Sequence, residues 1–252
     1  MKLKELILCA ASVALIAGGC SKSGDDGLQT GRLAIQLSAR DNVTDVTRSS
    51  VSSITQLPDK GEFTLTVRKQ GGTAAVWTGK LSQVPADGIE LSAGSYTAEA
   101  LYGSAADEGF DKPCFSSADG GVPFTVNGGA TSSVAVPVTL ANTIVKLSTT
   151  AMFDNYFPDR HFTITTGAGT AIDFVGGETR GAFIDAYRFT ITGTLTNQAG
   201  KSQTFSKEYT SINPATCYTV TFDAPDTGGT TVTITFNDTV TTVELGDIEL
   251  NE

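Results

Sequence analysis

The sequence predicts an all-β protein made of two consecutive antiparallel β-sandwich domains. Three observations point to this fold class. Apolar and polar residues alternate with a period of two along most of the chain, which is typical of strands with one buried face. Threonine fills many of the outward positions, as suits a pleated surface. The 27 glycines fall mainly in short turn signals between these runs, and short strands at such spacing favour antiparallel sandwiches.

The composition favours a folded chain that can bury a core. Of the 252 residues, 40% are hydrophobic and 17% are charged, whereas disordered chains are typically richer in charge and poorer in β-branched residues. With 17 basic and 27 acidic residues, the formal net charge is −10. This balance argues against a nucleic-acid partner, because affinity for phosphate backbones comes largely from clustered Lys and Arg.

The first twenty residues have the features of an export signal. Two lysines precede an apolar run from Leu6 to Ala17, and small residues follow up to Cys20. The run is shorter than the about 20 apolar residues that span a bilayer, so residues 1–19 are predicted to be a cleaved signal peptide. Their removal takes away two lysines and one glutamate, which changes the formal charge from −10 to −11.

The end of this signal resembles the lipobox of bacterial lipoproteins. In that motif a signal peptidase cuts before a cysteine, here between Gly19 and Cys20, and the cysteine is acylated with fatty acids such as palmitate. Ala17 stands where lipoboxes usually carry Leu. The alternative is an ordinary cleaved signal with an incidental cysteine.

Residues 20–27 are predicted to be a flexible tether, because the stretch after Cys20 is polar and rich in Ser and Gly. It contains the paired acids Asp25 and Asp26. In lipoproteins of Bacteroidota, acidic residues soon after the lipidated cysteine resemble the signal that sends a protein to the outside of the outer membrane. Asp25 and Asp26 therefore predict a lipid-anchored outer-membrane protein that faces the cell exterior.

The first predicted domain covers residues 28–140. A Ser/Thr-rich connector, from Ala39 to Asp59, separates its first two strands, and loops above roughly 12 to 15 residues are usually functional or disordered. Pro137 would remove a ladder donor, which favours an edge position for its strand. The alternating runs of this domain include Leu33, Ile35 and Leu37, then Phe63, Leu65 and Val67, then residues 96–102 and 134–138.

The second predicted domain covers residues 141–252. The boundary is placed there because Ala141 and Asn142 interrupt the apolar run, and both domains are then near the usual size of roughly 100 to 150 residues. Residues 150–157 predict a short helix that ends before Pro158, with its aromatic side chains in the core. The alternating runs include residues 162–164, then Tyr187, Phe189, Ile191 and Leu195, then Tyr218, Val220 and Phe222, then Val232, Ile234 and Phe236, then Val243 and Leu245.

Several segments occur in the order of one known family, and together they resemble the domain-of-unknown-function 4493 family of Bacteroidota lipoproteins. The resemblance covers nearly all of the mature chain from Gly31 onward, and its specificity comes from the order of the segments. They are residues 91–100 (LxAGxYxxxA), 109–115 (GFDKPxF), 124–126 before a Gly-Gly turn, 140–142 (LAN), 153–157 and the strand at Tyr218.

That resemblance implies two domains similar to the fimbrillin-like surface proteins of the same bacteria, which serve as pilus subunits, anchors or tip adhesins. In fimbrillins an arginine-directed protease can remove the first strand, and a neighbour's strand fills the groove. Arg48 in the connector is a candidate processing site on this basis, and the alternative is a solvated loop arginine. The predicted function is a structural or adhesive cell-surface lipoprotein whose partners are the membrane, through its lipid anchor, and other surface or pilus proteins.

The sequence predicts no catalytic site, cofactor or metal. His161 is the only histidine, so the usual Ser-His-Asp, Cys-His and two-histidine zinc arrangements would all have to share it. The enzyme alternative requires His161 to be buried in a cleft beside a carboxylate and a hydroxyl. Three acid pairs are candidates for such a site, and none lies in a sequence motif typical of glycosidases or calcium-binding loops. They are Asp107 with Glu108, Asp223 with Asp226, and Asp247 with Glu249.

Two cysteines other than Cys20 remain after the signal, and they are a candidate disulfide in an oxidising compartment. Against the bond, Cys114 and Cys217 fall in different predicted domains. A surface glycan-binding lipoprotein is the alternative function, and it would use exposed aromatic side chains, although strand aromatics are more often core. The candidates are Trp77, Tyr102, Phe110 and Tyr187.

Overall fold

The computed structural model describes residues 29–39, 42–45, 50–53, 57–224, 231–236 and 239–244. Gly19, Cys20, Asp25, Asp26 and Arg48 lie outside the described residues. Strands dominate the described part, which has one α-helix and two single-turn 3₁₀ helices, so the predicted all-β class is confirmed. No helix within the described ranges is long and apolar enough to cross a bilayer.

In the described part, eleven strands precede residue 141. They are β1 Thr30–Ala39, β2 Asn42–Asp45, β3 Ser50–Ser53, β4 Thr64–Lys69, β5 Ala75–Lys80, β6 Ile89–Ser92, β7 Gly94–Tyr102, β8 Gly109–Phe110, β9 Phe115–Ser116, β10 Val122–Val126 and β11 Thr131–Leu140. The two 3₁₀ helices are Lys60–Glu62 and Leu81–Gln83.

The remaining described elements are one helix and nine strands. They are β12 Thr143–Thr149, α1 Ala151–Tyr156, β13 Asp159–Thr166, β14 Ala171–Val175, β15 Ala182–Ile184, β16 Arg188–Thr196, β17 Ser202–Thr210, β18 Thr216–Asp223, β19 Thr231–Phe236 and β20 Thr239–Glu244.

These strands form three sheets. The N-terminal sheet has the order β5-β4-β7-β9-β11-β1-β6, with β10 paired to β7. The central sheet has the order β20-β19-β18-β12-β15-β8, with β2 paired to β18 and β3 paired to β2. The outer sheet has the order β14-β13-β16-β17. Strands from before residue 141 thus enter the central sheet beside strands from after it.

Most strand pairs are antiparallel, as predicted, but two of these sheets also contain parallel pairs, which the sequence did not predict. Strand β1 pairs in parallel with β11, β12 pairs in parallel with β18, and β2 pairs in parallel with β18. Parallel neighbours require long connections, and these partners are indeed far apart in sequence. Short-range alternation identifies a strand but carries no information about the direction of such a distant partner.

Two hydrophobic cores lie on either side of the central sheet. The first is lined by the N-terminal sheet, with fully buried residues such as Leu33, Leu65 and Val136. The second lies between the central and outer sheets and contains buried residues such as Phe153 and Ile191. The predicted alternation is therefore confirmed for most of the runs whose burial the structure describes, because their inward positions are the buried ones.

Three strands of the central sheet contribute to both cores. Ile144, Phe183 and Cys217 pack in the first core, whereas their chain neighbours Val145, Ile184 and Tyr218 pack in the second. Strands buried on both faces have near-continuous apolar runs, which accounts for the non-alternating burial at the start of β12, β15 and β18. The division into domains 28–140 and 141–252 stays a prediction.

The connector between residues 39 and 59 contains regular structure, contrary to the expectation of a long loop. Strands β2 and β3 form an antiparallel pair, and β2 pairs with β18 at Thr216 and Cys217. The chain therefore crosses from the N-terminal sheet to the central sheet directly after β1.

The predicted helix is confirmed by its boundaries and its burial. The Thr150 hydroxyl accepts a hydrogen bond from the Phe153 amide at 3.2 Å, which satisfies one of the free amides at the start of α1. Phe153 and Phe157 are fully buried, and Pro158 follows the helix.

Two sequence expectations about strand position are wrong. Strand β11, which contains Pro137, lies inside the N-terminal sheet between β9 and β1 rather than at an edge. On the β9 side, however, it is paired only at Thr139 and Leu140, so Pro137 has no ladder neighbour there within the described residues. Tyr187, expected in a buried alternating run, precedes β16 and is 67% exposed.

Candidate functional site

Strand β1 lies in a slot between β11 and β6. If the protein exchanged strands as fimbrillins do, β1 would leave this slot. It pairs with β11 over eight registered positions and with β6 over four. Leu33 is fully buried and Leu37 is 7% exposed, so β1 is part of the first core. Gly31 lies so close to the Asn127 carbonyl that a β-carbon would be 2.2 Å from its oxygen. The slot therefore fits this strand closely.

The hydrogen bonds of β1 alternate between its two neighbours. The Arg32 amide donates to the Ala130 carbonyl at 2.8 Å. In a parallel ladder every second residue bonds to the same neighbour, so the amides of Ala34, Gln36 and Ser38 also face β11. The same alternation turns the nitrogen of Pro137 in β11 away from β1, and the proline therefore removes no bond from this ladder.

The two residues between β11 and β12, which we call the joint, are tied to both parts of the chain. Asn142 is fully buried, and its Oδ1 accepts a hydrogen bond from the Cys114 amide. Its main-chain carbonyl accepts from the Ala215 amide at 2.9 Å, and the Ala141 amide donates to the Cys114 carbonyl at 2.7 Å. The joint therefore has little freedom to bend.

A second connection, which we call the clasp, consists of residues 108–111 together with Arg180. Strand β8 pairs with β15 at the edge of the central sheet. The Phe110 ring packs edge-on against Phe174, with centroids 4.9 Å apart, and the Arg180 guanidinium lies 4.8 Å from the Phe110 ring centroid. A segment from before residue 141 thus covers the second core.

Charged side chains complete the clasp. Glu108 accepts hydrogen bonds from the Thr166 hydroxyl at 2.6 Å and from the Asp185 amide at 3.0 Å. Arg180 forms ion pairs with Asp111 at 2.6 Å and Glu178 at 2.7 Å. Hydrogen bonds from Arg180 lower the pKa of Glu178 from 4.5 to about 2, and the same pairing raises the pKa of Arg180.

Of the other two acid pairs, Asp223 has a structural role and the remaining three residues are not described. Asp223 accepts hydrogen bonds from the Thr150 hydroxyl at 2.5 Å and from the Ala224 amide at 2.9 Å, so it fixes the chain next to α1. Asp226, Asp247 and Glu249 lie outside the described residues. Within the described ranges, no three His, Cys, Asp or Glu side chains are grouped to hold a metal ion.

The structure contains no bond between Cys114 and Cys217, because Cys114 is a free thiol. Cys114 is held beside Asn142 by the bond to its amide, whereas Cys217 packs in the first core next to the register partner Ile144. Burial, and to a smaller extent the charge of Asp185, raise the pKa of the Cys114 thiol. A thiol in this state is a poor nucleophile at neutral pH.

His161 lies within β13, inside a strand rather than before one, and its side chain is 48% exposed. Its Nε2 lies 3.6 Å from Asp173 Oδ1, and the same oxygen accepts a hydrogen bond from the Thr163 hydroxyl at 2.7 Å. In a catalytic triad the histidine lies between carboxylate and hydroxyl. Here the carboxylate lies between the other two groups on an open surface, so the geometry does not support the enzyme alternative.

The four candidate aromatic side chains differ in exposure. Trp77 and Tyr102 are partly buried against the first core, and Phe110 is covered in the clasp. Tyr187 is 67% exposed. Its neighbour Arg188 has its guanidinium 5.8 Å from the ring centroid and forms an ion pair with Glu208 at 3.2 Å. Of these four side chains, only that of Tyr187 is exposed, and the other three are partly buried.

The sequence model of one protein family, the domain of unknown function DUF4493, matches residues 29–252, which is most of the chain. The chain belongs to the DUF4493 family. Two of the sequence segments that resemble this family have a structural role. Residues 109–115 form β8 and the start of β9, and residues 140–142 form the end of β11 and the joint. The sequence singled out these segments by their order alone, and the contacts of Phe110 and Asn142 were not predicted.

Several solved structures are similar to this DUF4493 chain at low sequence identity. A proposed polysaccharide-binding protein from Bacteroides thetaiotaomicron matches with 11% identity and a TM-score of 0.46, over 84% of this chain and 98% of that chain. A proposed cell adhesion protein from Bacteroides ovatus matches with 10% identity and a TM-score of 0.45, over 84% and 96%. The fimbrial anchor protein Mfa2 from Porphyromonas gingivalis matches with 12% identity and a TM-score of 0.38, over 84% and 98%. No curated protein matches the chain.

Proposed function

We propose that this protein is an outer-membrane lipoprotein, anchored through Cys20, that acts on the cell surface as a structural or adhesive component. Its two β-sandwich domains, 28–140 and 141–252, work by protein contact rather than by catalysis. Fimbrillin-like surface proteins, which the sequence resembles, have this kind of role. The partners are the membrane, through the lipid, and other surface or pilus proteins.

The observation that carries the proposal is the position of Cys20 at the end of the leader, ten residues before β1 begins at Thr30. At about 3.5 Å per residue, a tether of this length reaches at most about 35 Å. Acylation of Cys20 would therefore hold the folded body close to the membrane surface and load it through the first residue of β1.

Fatty-acid labelling tests the anchor. In a Bacteroidota host, the wild-type protein is expected to incorporate an alkyne-tagged fatty acid and to partition with the outer membrane, and Cys20→Ser is expected to do neither. Cys9→Ser is the matched control, because this second cysteine leaves with the signal peptide and its loss should not affect labelling. Persistent labelling of Cys20→Ser would contradict the anchor.

Protease treatment of intact cells tests the orientation. We expect externally added proteinase K to degrade the wild-type protein while a periplasmic marker survives. The variant Asp25→Ala/Asp26→Ala should remain lipidated but become protected, because the acidic export signal is lost. Equal degradation of both forms would show that these two acids do not direct surface export.

An arginine-specific protease distinguishes two forms of the adhesive role. We propose that the protein acts as an anchor or tip component that keeps β1, since β1 is hydrogen-bonded on both sides and enters the first core. The purified chain from Cys20 onward should then remain an intact monomer. A cut at Arg48 followed by loss of β1 and assembly into oligomers would instead identify a strand-exchanging subunit.

Glycan binding is the second candidate function, and the exposed ring of Tyr187 favours it. An aromatic face next to Arg188 and Glu208 offers the stacking surface and hydrogen-bonding groups that a sugar ring requires. A glycan array should then give a signal that Tyr187→Ala abolishes and that Leu101→Ala, which changes another exposed apolar side chain, leaves intact. An array without signal removes this candidate.

A further inference from the structure

We propose that the parallel β1–β11 ladder is a mechanical clamp. It lets the protein bear tension between its N-terminal tether and a partner bound to the part of the structure after residue 141, at the end remote from the joint. The inference rests on the proposed function for the attachment point at Cys20. It rests on the structure for the direction in which the strands would be loaded.

The loading direction follows from the order of the strands. The tether enters β1 at Thr30, and β1 begins beside the start of β11, since Arg32 pairs with Thr131. Strand β11 runs in the same direction and ends at Leu140, directly before the joint and β12. Tension from the membrane therefore acts on the start of β1, whereas tension from a distal partner acts on the end of β11.

Two parallel strands loaded at opposite ends slide along each other, so all of their rungs carry the load together. The β1–β11 ladder has eight registered pairs, from Arg32–Thr131 to Ala39–Val138. If the two strands were loaded at the same end, the rungs would open one at a time. Sliding requires all rungs to break together, so we expect a lower unfolding rate under load than for opening. Because this rate sets the lifetime under force, the sliding geometry should resist force far better.

The force path beyond this ladder runs through the joint and β12, and both are attached to the rest of the structure. Asn142 and Ala141 tie the joint to Cys114 and Ala215. Beyond the joint, β12 is again parallel to its neighbour β18, over six registered pairs. Strand β2 offers only two pairs to β18, so the β1–β11 ladder is the longer attachment of the N-terminal segment.

The β16–β17 turn is a suitable attachment point for the distal pulling force, as its contacts show. The Gln198 side chain donates to the Asn155 carbonyl at 2.7 Å, which places this turn beside α1, at the end of β12 remote from the joint. Ala199 in the turn is exposed. Ala130, directly before β11, is also exposed and offers a handle at the same end of the ladder as the tether.

Single-molecule force spectroscopy on the chain from Cys20 to its C-terminus tests the clamp. One handle is the Cys20 thiol, and the other is Ala199→Cys for sliding or Ala130→Cys for opening at one end. Cys114 and Cys217 are about 2% and 1% exposed, so coupling reagents reach the handles first. We expect a distinctly higher rupture force between Cys20 and Ala199→Cys than between Cys20 and Ala130→Cys.

A matched pair of proline variants tests the same rung. Gln36 and Ala135 are register partners and both are exposed, but only the Gln36 amide faces the partner strand. In the sliding geometry, Gln36→Pro should raise the unfolding rate at fixed load by at least about tenfold, because a ladder bond is lost and a carbonyl is left unpaired. Ala135→Pro, like the native Pro137, should change this rate little.

Either of two results would overturn the clamp. Equal rupture forces in the two wild-type geometries would show that sliding gives no resistance, and this comparison needs no substitution within β1. An early step that releases only residues 142–199 would show that the joint fails before the ladder. Both results leave the lipid anchor and surface location intact, whereas failed labelling of Cys20 would remove the attachment point and leave the measured clamp unchanged.

Discussion

At the scale of single residues, Asn142 connects segments that are distant along the chain. It is a polar side chain with no exposed surface, and it accepts a hydrogen bond from an amide that lies 28 positions earlier in the chain. A buried amide that loses its acceptor costs its full desolvation energy. Asn142 therefore holds two distant segments together through one oxygen atom.

We expect Asn142→Ala to lower the free energy of unfolding by about 2 kcal/mol, because the buried Cys114 amide is left unpaired. Urea denaturation followed by circular dichroism measures the change. Asn127→Ala is the control, since Asn127 is exposed, and its effect should be below about 0.5 kcal/mol. Equal effects of the two substitutions would argue against this role of Asn142.

Arg180 determines the titration of Glu178. The pKa of Glu178 is lowered from 4.5 to about 2, chiefly by hydrogen bonds from Arg180. Because the folded pKa is the lower one, the stability that this ion pair contributes is fully present above pH 4.5 and is lost as the pH falls to about 2. NMR titration of the Glu178 carboxyl should give a midpoint near 2 in the wild type and one moved back toward 4.5 in Arg180→Gln. An unchanged midpoint would mean that another group holds Glu178 charged.

At the scale of elements, the clasp shows how a two-residue strand can matter. Strand β8 pairs at only two positions, Phe110 with Ala182 and Gly109 with Phe183, which would give little stability alone. Its contribution comes from the Phe110 ring, which lies between Phe174 and the Arg180 guanidinium. The strand brings this ring from one part of the chain onto the core of the other.

We expect Phe110→Ala to increase hydrogen exchange of the β15 amides, because the ring that keeps β8 in place on the edge of the sheet is lost. Mass spectrometry of peptides that cover residues 182–184 measures the effect. Phe124→Ala is the matched control, as Phe124 is also half-buried and also stacks on one aromatic side chain, Tyr96, but lies away from β15. An effect of equal size from Phe124→Ala would indicate general destabilisation instead of a local role.

At the scale of the whole molecule, the central sheet links the two cores. Strands β12, β15 and β18 each supply neighbouring residues to both cores, and β2 and β8 reach the same sheet from the earlier part of the chain. Loss of either core would expose apolar side chains of the shared strands. The two cores should therefore unfold together, although the sequence suggests two separate domains.

Scanning calorimetry tests this coupling. We expect one unfolding transition in the wild type, with equal calorimetric and van't Hoff enthalpies. The double variant Asn142→Ala/Phe110→Ala, which loosens both the joint and the clasp, should broaden this transition or divide it into two. Two separate transitions in the wild type would show that the shared strands do not couple the cores.

Much of this architecture is already present in the sequence, because its signals are local. The alternation of Phe63, Leu65 and Val67 predicted a strand with one buried face, and all three side chains are fully buried. Thr150 and Pro158 bracket a helix whose aromatic residues are buried. Each of these features depends on side chains within a few positions of one another, so a short stretch of chain is sufficient to identify it.

The features that the sequence did not predict depend on distant partners. The parallel pairing of β1 with β11, the interior position of the Pro137 strand, the contacts of Asn142 and the clasp all join residues that are far apart along the chain. Tyr187 continued a local pattern but lies in the bend before β16 and is exposed. Most of the strands and the helix could be predicted from the sequence alone, because these elements follow from local periodicity and composition. The export signal stays a prediction. Only the tertiary structure decided which strands are neighbours, because pairing depends on which surfaces meet when both cores are buried together.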